Sequence, residues 1–400
     1  MEKQILKKIL GRSKSLFHND LAKGKKQLTK EINSKRILVV GAAGSIGSAF
    51  VKQLMNYKPK CVHLVDPAEN NLVELVRDLR SSSLKLPDDF MTISISMGSL
   101  MFNHFLESQK SYDYVVNFSA LKHVRVERDP FSLMQMLETN LFSLERLLRV
   151  LVKSGETKIF SVSSDKAVNP ANLMGASKAL MERLLYSFSD RVPYTTSRFA
   201  NVAFSDGSLL HGFGRRFEKG QPFSAPNDVR RYFISHEESG QLCLMACFLG
   251  DNRDIFIPRL NAKTDLITFS QIAELYLKKR GFTPIRCGSD NEAITIAERG
   301  KMYSTKEWPC YFSGSDTSGE KFQEEFVGQG EKAISGRFKG VDIIATQPPK
   351  DESALSQTIT ELEEIRDSDY WSTSDISKAI KISVPDLNHQ VTNRNLDQKM

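Results

Sequence analysis

The sequence predicts an α/β protein built around a doubly wound parallel sheet, and two observations carry that prediction. Short apolar runs with β-strand character recur along the first half of the chain: RILVV, CVHLVD, DFMTISIS, YDYVVNFSA, KIFSVSS and VPYTTSRFANV. Amphipathic segments with helical spacing separate these runs, notably NLVELVRDLRSS and FSLMQMLETNLFSLERLLRVLVKSG. Strands that alternate with helices form a parallel sheet with helices on both faces. Ligands of such sheets bind beyond the carboxyl ends of the strands.

A glycine-rich turn follows the first predicted strand. Residues 41–47 read GAAGSIG, a GxxGxxG pattern that opens a predicted helix. Small residues let backbone N–H groups approach a pyrophosphate, and the positive N-terminal end of the helix points at it. The place of the pattern between a strand and a helix favours a dinucleotide site over a glycine turn without a ligand. We expect contacts to the dinucleotide from Gly41, Gly44, Ser45, Ile46 and Gly47.

The second predicted strand ends in an acidic residue, Asp66, which lies 19 residues after Gly47. A carboxylate at this position can accept hydrogen bonds from both ribose hydroxyls of adenosine, and it repels a 2′-phosphate. The residues that follow, PAENN, include no lysine or arginine. The sequence therefore predicts a Rossmann-type domain that binds NAD rather than NADP.

The pattern along the 400 residues divides the chain into four regions. We expect a basic helical segment at 1–33 and an NAD-binding domain at 34–204. The regular alternation then fades, which predicts a smaller substrate-binding lobe at 205–330, interleaved with the sheet and including a helix at SHEESGQLCLMACFLG. A polar C-terminal extension is expected at 331–400, with QPPKDES as a linker.

The net charge of +7 is concentrated at the N-terminus. Residues 1–36 hold eleven Lys and Arg against three Asp and Glu, so the remainder is close to neutral. The basic balance therefore does not indicate a nucleic-acid-binding face on the body of the protein. The stretch EKQILKKILGRSKSLF predicts a helix that packs on the body or on a second subunit, with an anionic membrane surface as the alternative.

Two further features concern the compartment and metals. No run approaches the roughly 20 apolar residues of a membrane span, and the N-terminus lacks the apolar core of a signal peptide, so we expect a cytoplasmic protein. The five cysteines form no CxxC pair. We therefore expect buried thiols and no metal site.

The stretch SSDKAVNPANLMGASKALME follows the fifth predicted strand and begins at residue 163. Asp165 and Lys166 stand at the carboxyl end of that strand, next to Ser164. An acid and a base side by side suit a reaction that removes one proton and donates another, such as elimination of water, although a surface ion pair is the ordinary alternative. Met174 and Lys178 lie four residues apart and so share one face of the following helix. A lysine at that position can bond the nicotinamide ribose.

Four segments of the chain resemble a known family: the stretch just quoted, NFSALKHVRVERDP, RFANVAFSDGS and DVRRYFIS. They are similar to the nucleotide-sugar 4,6-dehydratases of bacterial polysaccharide and glycan synthesis, which are extended short-chain dehydrogenase/reductase proteins acting on UDP-N-acetylglucosamine. WPCYFSGSDTSGEKFQEEF and the tail PDLNHQVTNRNLDQKM resemble a soluble branch of this family. The resemblance extends from about Phe17 to Met400 and implies a homo-oligomer.

The resemblance implies a mechanism for this loop. Tightly held NAD takes hydride from C4 of the sugar and later returns it to C6, so that water is lost without net oxidation. Lys166 is then the base that removes the C5 proton, and Asp165 is the acid that protonates the departing C6 hydroxyl. The resemblance further implies that the substrate is UDP-N-acetylglucosamine, but the sequence leaves UDP, GDP and dTDP open.

Met174 stands where many members of the family carry a tyrosine that deprotonates the C4 hydroxyl. One branch has the same replacement, and it is associated with retention of configuration at C5. The C4 proton is then expected to pass to Asp165, through the Ser164 hydroxyl or water. Ser96 also departs from the family pattern, because an aspartate is expected there to bond adenine.

Further contacts are expected by the same resemblance. Lys122 and His123 follow the fourth strand and are expected to line the substrate pocket. Asn140 is expected at the cofactor site, where it steadies the active-site helix or a water molecule. Arg231 is a candidate for the diphosphate, because arginine makes paired hydrogen bonds to such groups. Arg215 and Arg216 are interpreted as surface charges. The remaining candidates are Ser119 and Ala120, together with Lys122, for the cofactor, and Asn201, Arg231 and Arg259 for the sugar nucleotide.

Two alternatives to a dehydratase remain open. A 4-epimerase of the same fold needs a C4 base but no Asp–Lys pair, so the Asp165–Lys166 pair argues against it. A non-catalytic NAD-bound scaffold is favoured by Met174 and Ser96, and the presence of Lys178 weighs against it.

Overall fold

A long sheet with helices on both faces forms the body of the computed structural model, which describes residues 2–315, 321–348, 351 and 353–389. Parts of WPCYFSGSDTSGEKFQEEF, of QPPKDES and of the C-terminal tail lie outside the described residues. The strands are β1 (Arg36–Val40), β2 (Cys61–Val65), β3 (Asp89–Ile93), β4 (Tyr114–Asn117), β5 (Lys158–Val162), β6 (Tyr194–Ser197), β7 (Asn201–Val202), β8 (Phe223–Pro226), β9 (Arg230–Ile234), β10 (Asp254–Pro258), β11 (Leu266–Thr268), β12 (Thr283–Cys287), β13 (Glu307–Ser313), β14 (Ala333–Ile334) and β15 (Val341–Ala345).

The main sheet has the strand order β14-β15-β10-β6-β5-β4-β1-β2-β3. Strands β3 to β10 in this order run parallel, while β15 pairs antiparallel with β10 and with β14. The chain moves from β1 to β2 on one side and returns to β4 on the other, so the order reverses between β1 and β4. The predicted doubly wound parallel sheet is therefore confirmed, and its switch point marks where ligands of this fold bind.

Helices separate the strands along most of the chain. They are α1 (Glu2–Leu10), α2 (His18–Ile32), α3 (Ser45–Leu54), α4 (Glu69–Arg80), α5 (Leu100–Ser108), α6 (Pro130–Leu137), α7 (Ser143–Ser154), α8 (Leu173–Phe188), α9 (Leu209–Glu218), α10 (His236–Leu249), α11 (Phe269–Lys279), α12 (Asp290–Glu298), α13 (Met302–Thr305), α14 (Ser353–Asp367) and α15 (Thr373–Ser383). A π-helical turn at Glu138–Phe142 joins α6 to α7. None of the helices among the residues listed above as described is long and apolar enough to cross a membrane.

The two faces of the sheet bury alternate residues of each strand. Ile37 and Val39 of β1 belong to one apolar cluster, together with residues of α3, α4 and α10. Leu38 and Val40 belong to the opposite cluster, with residues of α6, α7, α8, α14 and α15. This alternation follows from the period of two along a strand. It places α3 and α8, the two helices that flank the switch point, on opposite faces of the sheet.

The region after β6 departs from the sequence prediction in its sheet membership. VPYTTSRFANV was predicted as one strand, but β6, the part in the main sheet, ends at Ser197. Asn201–Val202 forms β7, which pairs with β9 in a separate sheet. The predicted helix at SHEESGQLCLMACFLG is confirmed as α10, which packs against α3, and β10 then rejoins the main sheet. Residues 205–330 thus contribute both to the main sheet and to a smaller lobe.

The smaller lobe has its own apolar core. Phe213 of α9, Phe223 of β8 and Trp308 of β13 are buried there, and Ile5 and Ile9 of α1 join them. The apolar face of the basic N-terminal helix therefore packs on the body of the protein, which is the first of the two interpretations of that segment.

Candidate active site

A cavity of about 1640 Å³ opens at the carboxyl ends of β1, β4, β5 and β6. Its wall combines the glycine turn, the loop after β4, the turn after β5 and the beginning of the lobe. The predicted site residues in this wall are Gly41, Gly44, Ser45, Ile46, Gly47, Ala120, Lys122, His123, Ser164, Asp165, Lys166, Met174, Lys178 and Asn201. The structure does not bring Asp66, Ser119, Asn140, Arg231 or Arg259 into the wall.

The glycine turn has the backbone that a dinucleotide site requires. Gly41 has φ +72°, and a Cβ at Gly47 would lie 2.2 Å from the Gly41 carbonyl oxygen, so neither position accepts a side chain without a shift of the loop. A Cβ at Gly44 would meet only that same oxygen, at 3.6 Å, because Gly44 borders the open cavity. No side chain caps the N-terminus of α3, which begins at Ser45. The exposed amide groups and the free space fit a pyrophosphate.

Asp66 supports this turn from behind. Its carboxylate accepts hydrogen bonds from the backbone N–H groups of Ala43 and Ala68, each at 2.9 Å, and the residue is buried. Ser119 also lies behind the turn, where its N–H donates to Asn117 Oδ1 at 2.9 Å. The sequence located Asp66 at the end of β2, but it could not predict that the carboxylate would hold the glycine turn.

The turn after β5 brings an acid and a base together. Ser164 Oγ donates to Asp165 Oδ1 at 2.8 Å and accepts the N–H of Lys166 at 3.2 Å. Lys166 Nζ lies 3.2 Å from the same Asp165 oxygen. The Asp165 side chain is almost fully buried, whereas the Lys166 side chain is 22% exposed. The ammonium group is thus held by its neighbour and reaches the cavity.

Glu324 joins this pair from a distant loop. Its Oε1 lies 3.6 Å from Lys166 Nζ and 3.9 Å from Arg231 Nη2, and both Glu324 and Arg231 are buried. Burial by itself would lower the pKa of Lys166, but the charges of Asp165 and Glu324 outweigh it and raise that pKa above the usual value. Arg231, predicted to bind the substrate, instead lies beside this buried carboxylate, and no sequence motif pointed to Glu324.

Lys178 and Met174 extend along one face of α8 toward the same cavity. Lys178 Nζ donates to the carbonyl oxygen of Val162, the last residue of β5, at 3.0 Å. Burial lowers the pKa of Lys178 to about 8, against the opposing charge of Glu182. Met174 is buried and offers no group that can carry a proton.

We expect the binding of NAD to depend on the charge of Lys178. At pH values below its pKa of about 8, Lys178 carries the ammonium charge. About one pH unit above that pKa, only about a tenth of the molecules keep the charge. The affinity for NAD should therefore fall as the pH rises through 8, which a calorimetric titration at several pH values measures. In Lys178→Met the affinity should be low and this step absent; a step of wild-type size in the variant would exclude Lys178 as its origin.

A buried ionic network lies beneath the turn after β5. Glu182 of α8 accepts a hydrogen bond from Ser163 Oγ at 2.5 Å and from Arg198 Nε at 2.9 Å. Arg198 also pairs with Glu331 at 2.6 Å. Asn140 makes a second connection, because its amide bonds the backbone of Leu121 and the Ser177 hydroxyl, both near 3 Å. These contacts tie α8 to the ends of β4, β5 and β6.

Two arginines, Arg259 and Arg216, occupy places that the sequence did not predict. Arg259 pairs with Asp342 of β15 and lies outside the cavity wall. Arg215 is exposed, in agreement with its interpretation as a surface charge, whereas Arg216 is partly buried, and both line the cavity wall at α9. The helical spacing from the buried Phe213 to Arg216 was the one available signal that Arg216 turns inward.

Comparison with known sequences places these features in a family. A profile of the family described as polysaccharide biosynthesis protein matches residues 37–345. An uncharacterized membrane protein of Methanocaldococcus jannaschii is 32% identical over 62% of this chain and 74% of its own length. An inverting UDP-N-acetylglucosamine 4,6-dehydratase of Campylobacter jejuni is 27% identical over 57% of this chain and 68% of its own length. A UDP-glucose 4-epimerase of Rickettsia bellii is 28% identical over 75% of this chain and 89% of its own length.

Other similarities concern longer proteins and solved structures. The chain spans only 49% and 39% of two longer polysaccharide biosynthesis relatives, from Bacillus subtilis and Staphylococcus aureus. The fold is similar to that of Pen from Bacillus thuringiensis, with a TM-score of 0.64, 20% identity and coverage of 83% of this chain and 98% of Pen. It is also similar to a dTDP-glucose 4,6-dehydratase from Streptomyces venezuelae, with a TM-score of 0.54 and 17% identity. The match covers 74% of this chain and 88% of that structure's chain.

The family match covers most of the main sheet and the whole cavity wall up to Ser315. Its relatives include nucleotide-sugar dehydratases and epimerases, which are enzymes. The chain therefore belongs to the polysaccharide biosynthesis protein family.

Proposed function

We propose that this protein catalyses the NAD-dependent 4,6-dehydration of a nucleotide-activated N-acetylhexosamine, with UDP-N-acetylglucosamine as the substrate. The observation that carries this proposal is the Asp165–Lys166 pair, with 3.2 Å between carboxylate and ammonium, in the wall of the cavity that also contains the glycine turn. Elimination of water needs an acid for the leaving hydroxyl and a base for the neighbouring carbon. A 4-epimerase needs neither.

The cofactor site would consist of the glycine turn and the N-terminus of α3 for the pyrophosphate, with Lys178 for the nicotinamide ribose. Asp66 would act on the cofactor through the turn that it holds. When bound, NAD would accept hydride from C4 and return it to C6, so that the sugar itself loses only water. The free space beside Gly44 and the amide groups at Ser45 support this assignment.

The protons of the reaction balance on two residues. Asp165 accepts the proton of the C4 hydroxyl, directly or through Ser164 Oγ, which already bonds it at 2.8 Å. The same proton then passes from Asp165 to the C6 hydroxyl as that group departs. Lys166 first gives its ammonium proton to solvent; as the free amine it then removes the C5 proton, which the C4 ketone would make acidic, and it returns a proton to C5 afterwards. Met174 takes no part in these transfers, since its side chain carries no ionisable group.

Basic and polar groups at the lobe side of the cavity would bind the rest of the substrate. Lys122, His123 and Asn201 lie in the wall near the end of β4 and at β7. Arg215 and Arg216 add two guanidinium groups, which suit a diphosphate. We therefore assign the diphosphate to these two arginines, and we place Arg231 with the catalytic pair.

A 4-epimerase is the second candidate, because epimerases of the same fold match 75% of the chain. Incubation of the purified protein with UDP-N-acetylglucosamine, followed by mass spectrometry, separates the candidates. Dehydration gives a keto sugar lighter by one water molecule, and this is the expected result. An isomer of unchanged mass would identify an epimerase. If neither product forms with UDP, GDP or dTDP sugars, the chain is an NAD-bound scaffold and the proposal fails.

A further inference from the structure

The carboxylate of Glu324 lies outside the cavity wall, but it is buried and contacts two cationic side chains. Its Oε1 lies near both Lys166 Nζ and Arg231 Nη2, at 3.6 and 3.9 Å. Its Oε2 is buried and has no hydrogen-bond partner among the residues that the structure describes. A buried carboxylate is costly to desolvate unless nearby charges compensate it. Glu324 therefore depends on the two cations.

The charges around Lys166 cancel in the resting state. Asp165 and Glu324 are negative, and Lys166 and Arg231 are positive. When Lys166 gives its proton to solvent, Glu324 and Arg231 still balance each other, and Asp165 stays ionised and able to accept the proton of the C4 hydroxyl. Without Glu324 the charge of Arg231 would instead repel the Lys166 ammonium.

We propose that Glu324 is a positioning residue that holds the Lys166 ammonium beside Asp165 and, together with Arg231, forms the ion pair that remains when Lys166 loses its proton. Glu324 lies outside the cavity wall, so it acts through Lys166. The assignment of Lys166 as the base rests on the proposed function. The placement of Glu324 next to Lys166 is independent of the proposed function, because it follows from the distances alone.

Other charged groups near this turn have partners of their own. Lys321 Nζ donates to the Val168 carbonyl oxygen at 2.6 Å, and Glu325 accepts a hydrogen bond from Asn169 Nδ2 at 3.1 Å. Lys178 faces the same cavity from α8. The charges that act directly on Lys166 are those of Asp165, Glu324 and Arg231. Glu325 therefore provides a matched control, being an adjacent glutamate whose hydrogen bond is made to Asn169.

The test measures Lys166 without any turnover. Trace acetylation with acetic anhydride at a series of pH values, followed by peptide mass spectrometry, reports how much of the Lys166 amine is unprotonated. Loss of an opposite charge at this distance lowers the pKa of an amine by about one unit or more. In Glu324→Gln the labelling curve of Lys166 should shift to lower pH, with about tenfold more labelling at a fixed pH on its rising part. In Glu325→Gln it should coincide with the wild-type curve.

Superimposable curves for wild type and Glu324→Gln would overturn the proposal. A second variant guards against misfolding: Glu324→Asp keeps the charge, so it should return the labelling curve most of the way toward wild type. If its curve stays with that of Glu324→Gln, the charge of Glu324 does not govern Lys166 and the proposal is again excluded.

Activity separates this proposal from the proposed function. In a working dehydratase, the rising limb of the kcat–pH profile should move to lower pH in Glu324→Gln with little change in KM, because Glu324 acts on the protonation of Lys166 and does not line the cavity. A rise in KM with an unchanged kcat–pH profile would contradict a role through Lys166. If the wild-type protein forms no dehydrated product, the proposed function fails, whereas the labelling curves still decide whether Glu324 positions Lys166.

Discussion

Lys166→Met stops the loss of water from UDP-N-acetylglucosamine. Methionine has a similar length but cannot accept the C5 proton, and removal of a general base lowers turnover by about 10²- to 10⁴-fold. Oxidation at C4 does not require Lys166, so we expect absorbance of reduced nicotinamide to rise in the variant while no keto-deoxy sugar accumulates. Mass spectrometry of the sugar nucleotide and absorbance spectra of the protein measure the two effects.

A neighbouring lysine supplies the control for this variant. Lys321 donates to the Val168 carbonyl oxygen and is absent from the cavity wall. Lys321→Met should therefore keep turnover within a few fold of wild type. Product formation at the wild-type rate in Lys166→Met would remove Lys166 from the mechanism.

Glu182→Gln has the largest expected effect on stability. Glu182 and Arg198 are both buried; burial by itself would lower the pKa of the Arg198 guanidinium, but the charges and hydrogen bonds of Glu182 and Glu331 outweigh it and raise that pKa above its usual value. Breaking a buried ion pair from one side costs about 3–5 kcal/mol, because the other charge stays buried. We expect about 3 kcal/mol in the free energy of unfolding, at the lower end because Arg198 keeps Glu331. Urea denaturation measures this loss.

The matched control is a surface glutamate in an ion pair. Glu74 and Arg77 are about 70% exposed and pair within α4. Exposed pairs contribute roughly 0–1 kcal/mol, so Glu74→Gln should leave the unfolding curve nearly unchanged. If Glu182→Gln and Glu74→Gln have equal midpoints, the buried network does not stabilise the protein.

Strands β1, β2 and β5 were predictable because each is a mainly apolar run that is buried on both faces. β1, β2 and β5 lie within the predicted segments, and the residues that directly follow β1 and β5, Gly41 and Ser163, line the cavity. The sheet that the chain joins after Ser197 was not predictable. The alternation of residues indicates an extended chain, but it does not say with which sheet Asn201–Val202 pairs.

The local parts of the candidate site could be found in the sequence, and the distant parts could not. Asp165 and Lys166 are adjacent, and the glycine turn is one short motif, so spacing alone located them. Glu324 reaches Lys166 from another loop. The direction of Arg216 depends on how α9 packs over the lobe core. Such contacts are set by tertiary packing and leave no periodic signal in the chain.

The measurement that tests the central claim most directly is the reaction in heavy water. The claim is that Lys166 removes and restores the C5 proton while Asp165 protonates the leaving hydroxyl. The product should be lighter by one water molecule and should carry one deuterium on carbon, which NMR locates at C5. A dehydrated product without deuterium at C5 would contradict the role of Lys166 in solvent exchange. A sugar nucleotide of unchanged mass would contradict the dehydration itself.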